Sequence, residues 1–247
     1  MNDKPKRQPV TPALAATILL LRDDPFEVLM VRRRSSSFFA SALVFPGGVV
    51  EPHDYDDAWM AHVAGAEPLA VEERALRIAA CREAFEETSV LLTASGAPAA
   101  AAQETFLALV QSLRQTLPVG DIVRFAHWIT PEMSPKRFDT HFFVAAAPPG
   151  ADARCDGDET VSLEWVRPLD AVARAEAGEN TILFPTLMNL KRLAESDSVA
   201  AALAAARTRT PFTVLPKVRR QDDQIVVMIP PEAGYGVTEF ILPDGVG

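Results

Sequence analysis

The stretch Arg82-Glu83-Ala84-Phe85-Glu86-Glu87 constrains this chain most, because one helix must meet two opposite demands. At about 100° per residue, Glu83, Glu86 and Glu87 fall within an arc of roughly 100°. Ile78, Cys81 and Phe85 point the other way, roughly 160–220° round from Glu83. The helix must therefore pack one side on a core and hold three carboxylates toward one point. Each close pair of such charges repels by about 3 kcal/mol at an effective dielectric near 20 and a spacing of about 5 Å. A cation belongs there.

Composition bounds the class. At 247 residues and 26.8 kDa the chain is long for one simple domain and short for two. A chain of this size buries roughly 70–75% of its unfolded surface, enough for a core without disulfides. Hydrophobic content of 48% and charged content of 23% are those of a globular protein. The net charge of −9 argues against nucleic acid as a partner, since a duplex selects a basic face. Cys81 and Cys155 lack metal-ligand spacing and read as reduced thiols, with a cytoplasmic location the matching expectation. The apolar run 14–21 is too short to span a bilayer and stops at Arg22-Asp23-Asp24, so no membrane partner is expected. Residues 1–10 carry Lys4, Lys6 and Arg7 and read as a disordered tail; 11–247 reads as a single domain.

Periodicity divides that domain. Residues 13–21 and 26–33 are apolar runs split by Arg22-Asp23-Asp24-Pro25, a strand–turn–strand pattern. Residues 38–44 lead into Pro46-Gly47-Gly48, where Pro fixes φ and the glycines permit close backbone approach. A short helix is expected over 57–63, ahead of Gly65 and Pro68, and the carboxylate helix over about 71–88. A strand at Val90-Leu91-Leu92 and an alanine tract at 97–102 follow. Phe106, Leu107, Val110 and Leu113 recur with helical spacing over 103–116. Strands are expected at 123–129, 137–146 and 161–166, with an acidic turn at 152–159. Helices follow over about 168–177, 183–195 and 199–207, then a hairpin of 212–218 with 224–229. This order predicts an α+β fold, a mixed sheet with helices on its faces.

A glycine pair after a strand, a helix bearing Arg-Glu and Glu-Glu, and a later acidic loop together resemble the Nudix hydrolases. Their box reads G-x5-E-x7-R-E-U-x-E-E-x-G-U, with U apolar. Gly48 matches the first position, and Asp54 stands where the box has its first Glu. Arg82, Glu83, Glu86 and Glu87 match the helical core, with Ala84 and Val90 at U positions. Ser89 replaces the last glycine, so the turn out of the helix must be made without glycine's tolerance of φ > 0. Residues 55–81 separate Asp54 from Arg82, where the box allows seven. The interrupted box, with Phe45-Pro46-Gly47-Gly48 upstream and Pro135-Lys136-Arg137-Phe138-Asp139-Thr140-His141-Phe142-Phe143 downstream, resembles the coenzyme A diphosphatase branch. The resemblance runs over about 13–166 and more loosely to the C-terminus. It implies a Nudix α/β/α sandwich with a mixed β-sheet, an insertion within the box at about 55–70, and a helical C-terminal extension over about 169–247.

The resemblance also implies chemistry. A divalent metal stabilises charge on phosphate oxygens and lowers the pKa of bound water; Mg2+ or Mn2+ takes oxygen ligands. Glu83, Glu86 and Glu87 suit that role, the last two most strongly by the family pattern, and the Gly48 carbonyl contributes in related enzymes. Arg82 is expected to orient the glutamates and Asp54 by ion pairing. The distal carboxylate of such enzymes falls at Glu159, the first choice for general base, with Asp156 and Asp158 as rivals and a solvated acidic turn as the alternative. Arg32, Arg33 and Arg34 are candidates for a phosphate clamp, or else a strand-end charge run. Arg137 is placed to contact substrate or to pair with Asp139. His53 and His141 lack a metal partner at suitable spacing and read as structural or surface residues. Segment 55–70 and helix 103–116 wall a pantetheine end, or else Trp59, Met60 and Phe106 simply pack.

Three functions follow as expectations. The first is cleavage of coenzyme A or acyl-coenzyme A to adenosine 3′,5′-bisphosphate and a 4′-phosphopantetheine. The second is the same chemistry on ADP-ribose or another nucleoside-diphosphate sugar. The third is a binding module without turnover, against which the intact Glu83, Glu86 and Glu87 argue. The expected partner is a small nucleotide diphosphate, and a homodimer is compatible with the reading.

Overall fold

Two consecutive apolar runs form a hairpin that then splays, and the splay makes room for the glycine turn. The computed structural model describes residues 10–34, 42–93, 105–155, 157, 160–222 and 224–242. In chain order, the first half holds β1 (Ala13–Arg22), β2 (Glu27–Arg33), β3 (Leu43–Val44), β4 (Gly47–Val49), α1 (Val71–Thr88) and α2 (Phe106–Ser112). The second half begins with β5 (Val123–Ile129), β6 (Phe138–Ala146), β7 (Thr160–Val166), α3 (Pro168–Glu176), α4 (Phe184–Leu193) and α5 (Val199–Thr208). It ends with β8 (Thr213–Val214), β9 (Lys217–Gln221), β10 (Gln224–Met228) and β11 (Glu239–Ile241). β1 and β2 pair only beside their turn, Leu21 with Val28 and Arg22 with Glu27. Beyond it, β1 takes β4 as partner, while β2 takes β3 and β7.

The other side of β1 carries the parallel strand β6, in register from Ala13 opposite Phe138 to Leu21 opposite Ala146. β5 runs antiparallel to β6 and β8 parallel to β5, giving a mixed sheet ordered β3-β2-β1-β6-β5-β8. Alternate side chains of β1 leave by opposite faces. Ala16, Ile18 and Leu20 meet α1 and α2 in one core. Leu19 and Leu21 meet α3, α4, α5 and the last strands in another. Both faces are covered, which explains why β1 is apolar without alternation. Each fully buried Leu or Ile contributes about 1.5–3 kcal/mol. The expected α/β/α sandwich with a mixed sheet is the observed architecture.

Several expectations need correction. Val90, Leu91 and Leu92 are buried but form no strand, and pair with none of the described strands. The short helix is a 3-10 turn over Asp57–Ala61, with a second over Pro52–Tyr55. The helix expected over 103–116 is α2 alone, and the alanine tract 97–102 lies outside the described residues, as does the tail 1–9. Among the described residues the C-terminal extension is α-helical only to Thr208, with one 3-10 turn beyond it at Pro231–Ala233. The expected hairpin strand 212–218 divides: Thr213–Val214 extends the main sheet, and Lys217–Gln221 joins β10 and β11 in a second, antiparallel sheet. Tyr235 ties this part to the body, its hydroxyl accepting from Trp128 Nε1 at 3.0 Å and donating to Asn189 Oδ1 at 2.8 Å. Arg192 lies over the Tyr235 ring, 3.5 Å from its centroid.

Candidate active site

Helix α1 lies across β1 and β4, so its apolar side is fixed by the sheet beneath it. Ile78 and Cys81 are fully buried, and the Phe85 ring stands 5.9 Å from that of Phe106. Trp59 completes the row, 5.6 Å from Phe106, with its Nε1 donating to the His53 carbonyl at 3.0 Å. Trp59 and Phe106 are therefore packing residues. Met60 is exposed, within 2.9 Å of Arg74 Nη1 through its sulfur.

The opposite side of α1 faces the β4 turn. Arg82, with 2% of its surface exposed, is the hub. Its Nε donates to Asp54 Oδ1 at 3.1 Å and its Nη2 to Asp54 Oδ2 at 3.0 Å. Nη1 donates to Glu83 Oε1 at 2.8 Å and Glu86 Oε2 at 2.9 Å, while Nη2 also reaches the Val49 carbonyl at 2.9 Å. The 3-10 turn over Pro52–Tyr55 presents Asp54, whose Oδ2 also accepts the Glu51 N–H at 2.8 Å. Burial pulls the Arg82 pKa down, but Asp54, Glu83 and Glu86 outweigh it and hold the guanidinium charged. Burial raises the Glu86 carboxyl above its usual range, Arg82 opposes that, and Glu51 and Asp54 reinforce it.

Gly47 and Gly48 bring the main chain against this cluster. The Gly47 N–H donates to Glu87 Oε2 at 3.1 Å. A Cβ at Gly48 would sit 2.4 Å from Glu83 Oε1, so no other residue fits without moving that carboxylate. Glu87 is buried, whereas the Glu86 side chain is 49% exposed and reaches the surface. Three carboxylates, Asp54, Glu83 and Glu86, meet on the Arg82 guanidinium. Three carboxylates beside a close-lying main-chain turn are a hard oxygen donor set, which fits a magnesium-type ion. Glu83, Glu86, Glu87, Gly48, Arg82 and Asp54 thus come together in one place.

Ser89 closes α1 in the left-handed conformation, φ 58° and ψ 11°, and its N–H donates to the Phe85 carbonyl at 2.7 Å. The serine adopts the backbone geometry that the box glycine would supply. Thr160, at the start of β7, donates to the Glu87 carbonyl at 3.2 Å and so ties that strand to the end of the helix. Asp156, Asp158 and Glu159, the candidates for the base, lie outside the described residues.

The arginines are placed differently. Arg32 Nη2 donates to Asn180 Oδ1 at 2.6 Å, and Arg34 Nη2 to the Gly157 carbonyl. The Arg33 side chain lies outside the described residues. Arg137 is buried, its Nε on the Thr130 carbonyl at 3.0 Å and its Nη1 on the Val10 carbonyl at 2.8 Å. Among the described residues it forms no ion pair with Asp139, and main-chain carbonyls hold two of its three guanidinium nitrogens. Strand alternation puts Arg137 and Asp139 on one face, but main-chain carbonyls are the nearer acceptors.

Sequence reasoning missed a second cluster. His141 stacks on His127 of the adjacent strand, ring centroids 4.0 Å apart. Asp139 joins them through Oδ1, which hydrogen-bonds His127 Nε2 and lies 3.5 Å from His141 Nε2. His127 Nδ1 meets Thr213 Oγ1 at 2.8 Å. His141 is therefore not a lone histidine. Burial first, then His127 and Arg124, press its pKa down to about 4, against Asp139 and Glu73. The alternation of Asp139 and His141 was a visible signal; the pairing with His127 was not, because register is not written in either strand.

With the geometry in place, comparison with known proteins decides the family. The NUDIX domain model matches residues 11–186. The chain belongs to the Nudix family. This Nudix chain is 30% identical over 192 residues to putative nudix hydrolase 7 of Caenorhabditis elegans, covering 73% of the chain and 60% of that protein. It is 26% identical over 238 residues to the acyl-coenzyme A diphosphatase NUDT19 of Gallus gallus, covering 70% and 62%. It thus spans about three-fifths of the length of these curated relatives. Among solved structures, a NUDIX hydrolase from Alicyclobacillus acidocaldarius superposes with a TM-score of 0.70 at 27% identity, covering 79% of this chain and 96% of that one. The Nudix fold accounts for the splayed hairpin and for α1 beside the glycine turn. No helix among the described residues is long and apolar enough to cross a membrane.

Proposed function

We propose that this chain hydrolyses a diphosphate bond in a nucleotide-linked small molecule, with coenzyme A or acyl-coenzyme A as substrate. The observation that carries the reading is the convergence of Glu83, Glu86 and Glu87 on the Gly47–Gly48 turn, with Arg82 pinning Glu83 and Glu86. Glu83, Glu86, Glu87 and the Gly48 carbonyl would hold Mg2+ or Mn2+. Such an ion supplies charge stabilisation at phosphate oxygens and a more acidic bound water.

The chain's own residues do the rest. Arg82, fixed by Asp54, holds Glu83 and Glu86 together on one nitrogen and offsets their mutual repulsion. Gly48 leaves room for the Glu83 carboxylate against the main chain. Glu159 is the proposed base, taking a proton from the attacking water as its oxygen bonds to phosphorus and the bridging P–O bond breaks. Support comes from its chain neighbour Thr160, which is bonded to the Glu87 carbonyl. Arg32, Arg33 and Arg34 are the proposed contacts to the outer phosphates, since guanidinium pairs bidentately with phosphate. The substrate assignment draws on the likeness to the acyl-coenzyme A diphosphatases and on the interrupted box between Asp54 and Arg82. We propose a single domain over 11–247 located in the cytoplasm.

The test is turnover with Mg2+ on a panel of coenzyme A, acyl-coenzyme A, ADP-ribose and dinucleoside polyphosphates, with products separated by chromatography. Adenosine 3′,5′-bisphosphate from coenzyme A is the expected result. Cleavage of ADP-ribose with coenzyme A untouched would overturn the substrate. Binding without turnover across the panel would overturn the activity. Glu86→Gln should lower turnover at least about 100-fold, while metal-free stability stays within about 0.5 kcal/mol because half the side chain is solvated. Near-native rates in that variant would remove Glu86 from the site.

A further inference from the structure

A row of residues crosses the sheet on the face covered by α1. Gly48 on β4 lies opposite Ala16 on β1, Ala16 opposite His141 on β6, His141 opposite His127 on β5, and His127 opposite Thr213 on β8. Asp139 stands two residues before His141 and therefore shares its face. His127, Asp139 and His141 each offer one nitrogen or oxygen atom, and the three atoms lie within 4.8 Å of one another. By ordinary strand spacing His141 sits two strands, roughly 10 Å, from Gly48, and His127 three.

The polar accounting of this cluster is incomplete. His127 is satisfied at both nitrogens, by Asp139 and by Thr213. His141, only 6% exposed, is not. Its Nδ1 is buried without a hydrogen-bond partner among the described residues, and its Nε2 reaches only to 3.5 Å from Asp139 Oδ1. A buried polar atom without a partner calls for an explanation, an ion among them.

We propose that His127, Asp139 and His141 form a metal site for a divalent transition ion of the zinc type, separate from the carboxylate site on α1. Two imidazoles and one carboxylate are a borderline donor set that suits zinc, cobalt or nickel, whereas magnesium selects oxygen alone. Three protein ligands with the fourth position left to water is the pattern of open zinc sites. The Asp139 side chain, 30% exposed, marks the side from which ion and water exchange. With Nε2 of His127 on the ion, its Nδ1–H donates to Thr213 Oγ1, which is the orienting contact that metal-bound histidines ordinarily have. The β5–β6 register brings the imidazoles together before any ion arrives.

The experiment starts from full-length protein stripped with a chelator and then saturated with Mg2+ to fill the oxygen site. Titration with Co2+ should give one equivalent with ligand-field absorption, displaced by Zn2+. X-ray absorption of the zinc-loaded wild type should show two imidazole shells. Thr213→Ala should weaken zinc about tenfold and His141→Gln about 100-fold or more, while Glu86→Gln keeps native affinity. An oxygen-only shell, no cobalt uptake over excess Mg2+, or unchanged affinity in a folded His141→Gln variant would each overturn the site. Should that variant not fold, the wild-type absorption spectrum decides alone. None of these readouts uses turnover, so the result stands apart from the hydrolase reading.

Discussion

Arg82 grips Asp54 through two parallel hydrogen bonds, 3.1 and 3.0 Å, across the intervening residues 55–81, in a pocket where Asp54 has no exposed surface. The pair fixes the 3-10 turn over Pro52–Tyr55 against α1 and leaves Nη1 of the same arginine for Glu83 and Glu86. One guanidinium thus couples the geometry of the loop to the geometry of the carboxylates.

Removing Asp54 should therefore damage both. Asp54→Ala leaves a buried guanidinium short of two bonds and should cost about 3–5 kcal/mol. Urea unfolding without metal reads the loss directly. A loss under about 1 kcal/mol would show that Glu83, Glu86 and the Val49 carbonyl suffice to hold Arg82.

Gly48→Ala separates positioning from folding. The new methyl would meet the flexible end of Glu83, which can swing aside, so stability should fall by only about 1 kcal/mol. Turnover should fall about 100-fold, because a displacement near 1 Å in a positioned group has that effect. Steady-state rates alongside melting curves give both numbers.

Ser89 carries a left-handed backbone without glycine's freedom. Ser89→Gly should hold or slightly raise stability, the relief of strain offset by chain entropy. Ser89→Val should lose about 1–2 kcal/mol, since a β-branched side chain tolerates φ near +60° poorly. Urea midpoints in the order Gly, Ser, Val are expected; any other order would relocate the strain.

Cys81 gives a pH prediction. Burial pushes its thiol up to about 12 from 9.0, with Asp54 adding and Arg77 opposing. The folded protein holds the neutral thiol, so this contribution to stability is complete below 9.0. It is lost progressively as pH rises toward about 12. At pH near 8 a thiol reagent should label the exposed Cys155 and spare Cys81 until the chain unfolds. Two fast-reacting thiols in the native protein would contradict the packing of α1.

Much of the fold was legible because its signals are local. The paired apolar runs gave β1 and β2, and the helix period gave α1 with Ile78 and Cys81 inward and the glutamates outward. Expectations failed where the deciding partner lay elsewhere. Val90–Leu92 has strand composition but pairs with none of the described strands. Thr213–Val214 left its expected hairpin for an open edge at β5. Arg137 found carbonyls at Thr130 and Val10 that alternation does not reveal.

By itself, then, the sequence determined the carboxylate face of α1 and the glycine turn that meets it, because a helix of fixed period places residues three and four apart on one side. Only the tertiary structure decided which strand lies beside which, and with it the stacking of His127 on His141 and the unpaired nitrogen that results. The reason is physical. Helical neighbours are set by bonds within one segment, whereas cross-strand neighbours are set by hydrogen-bond register between segments whose order along the chain does not specify it.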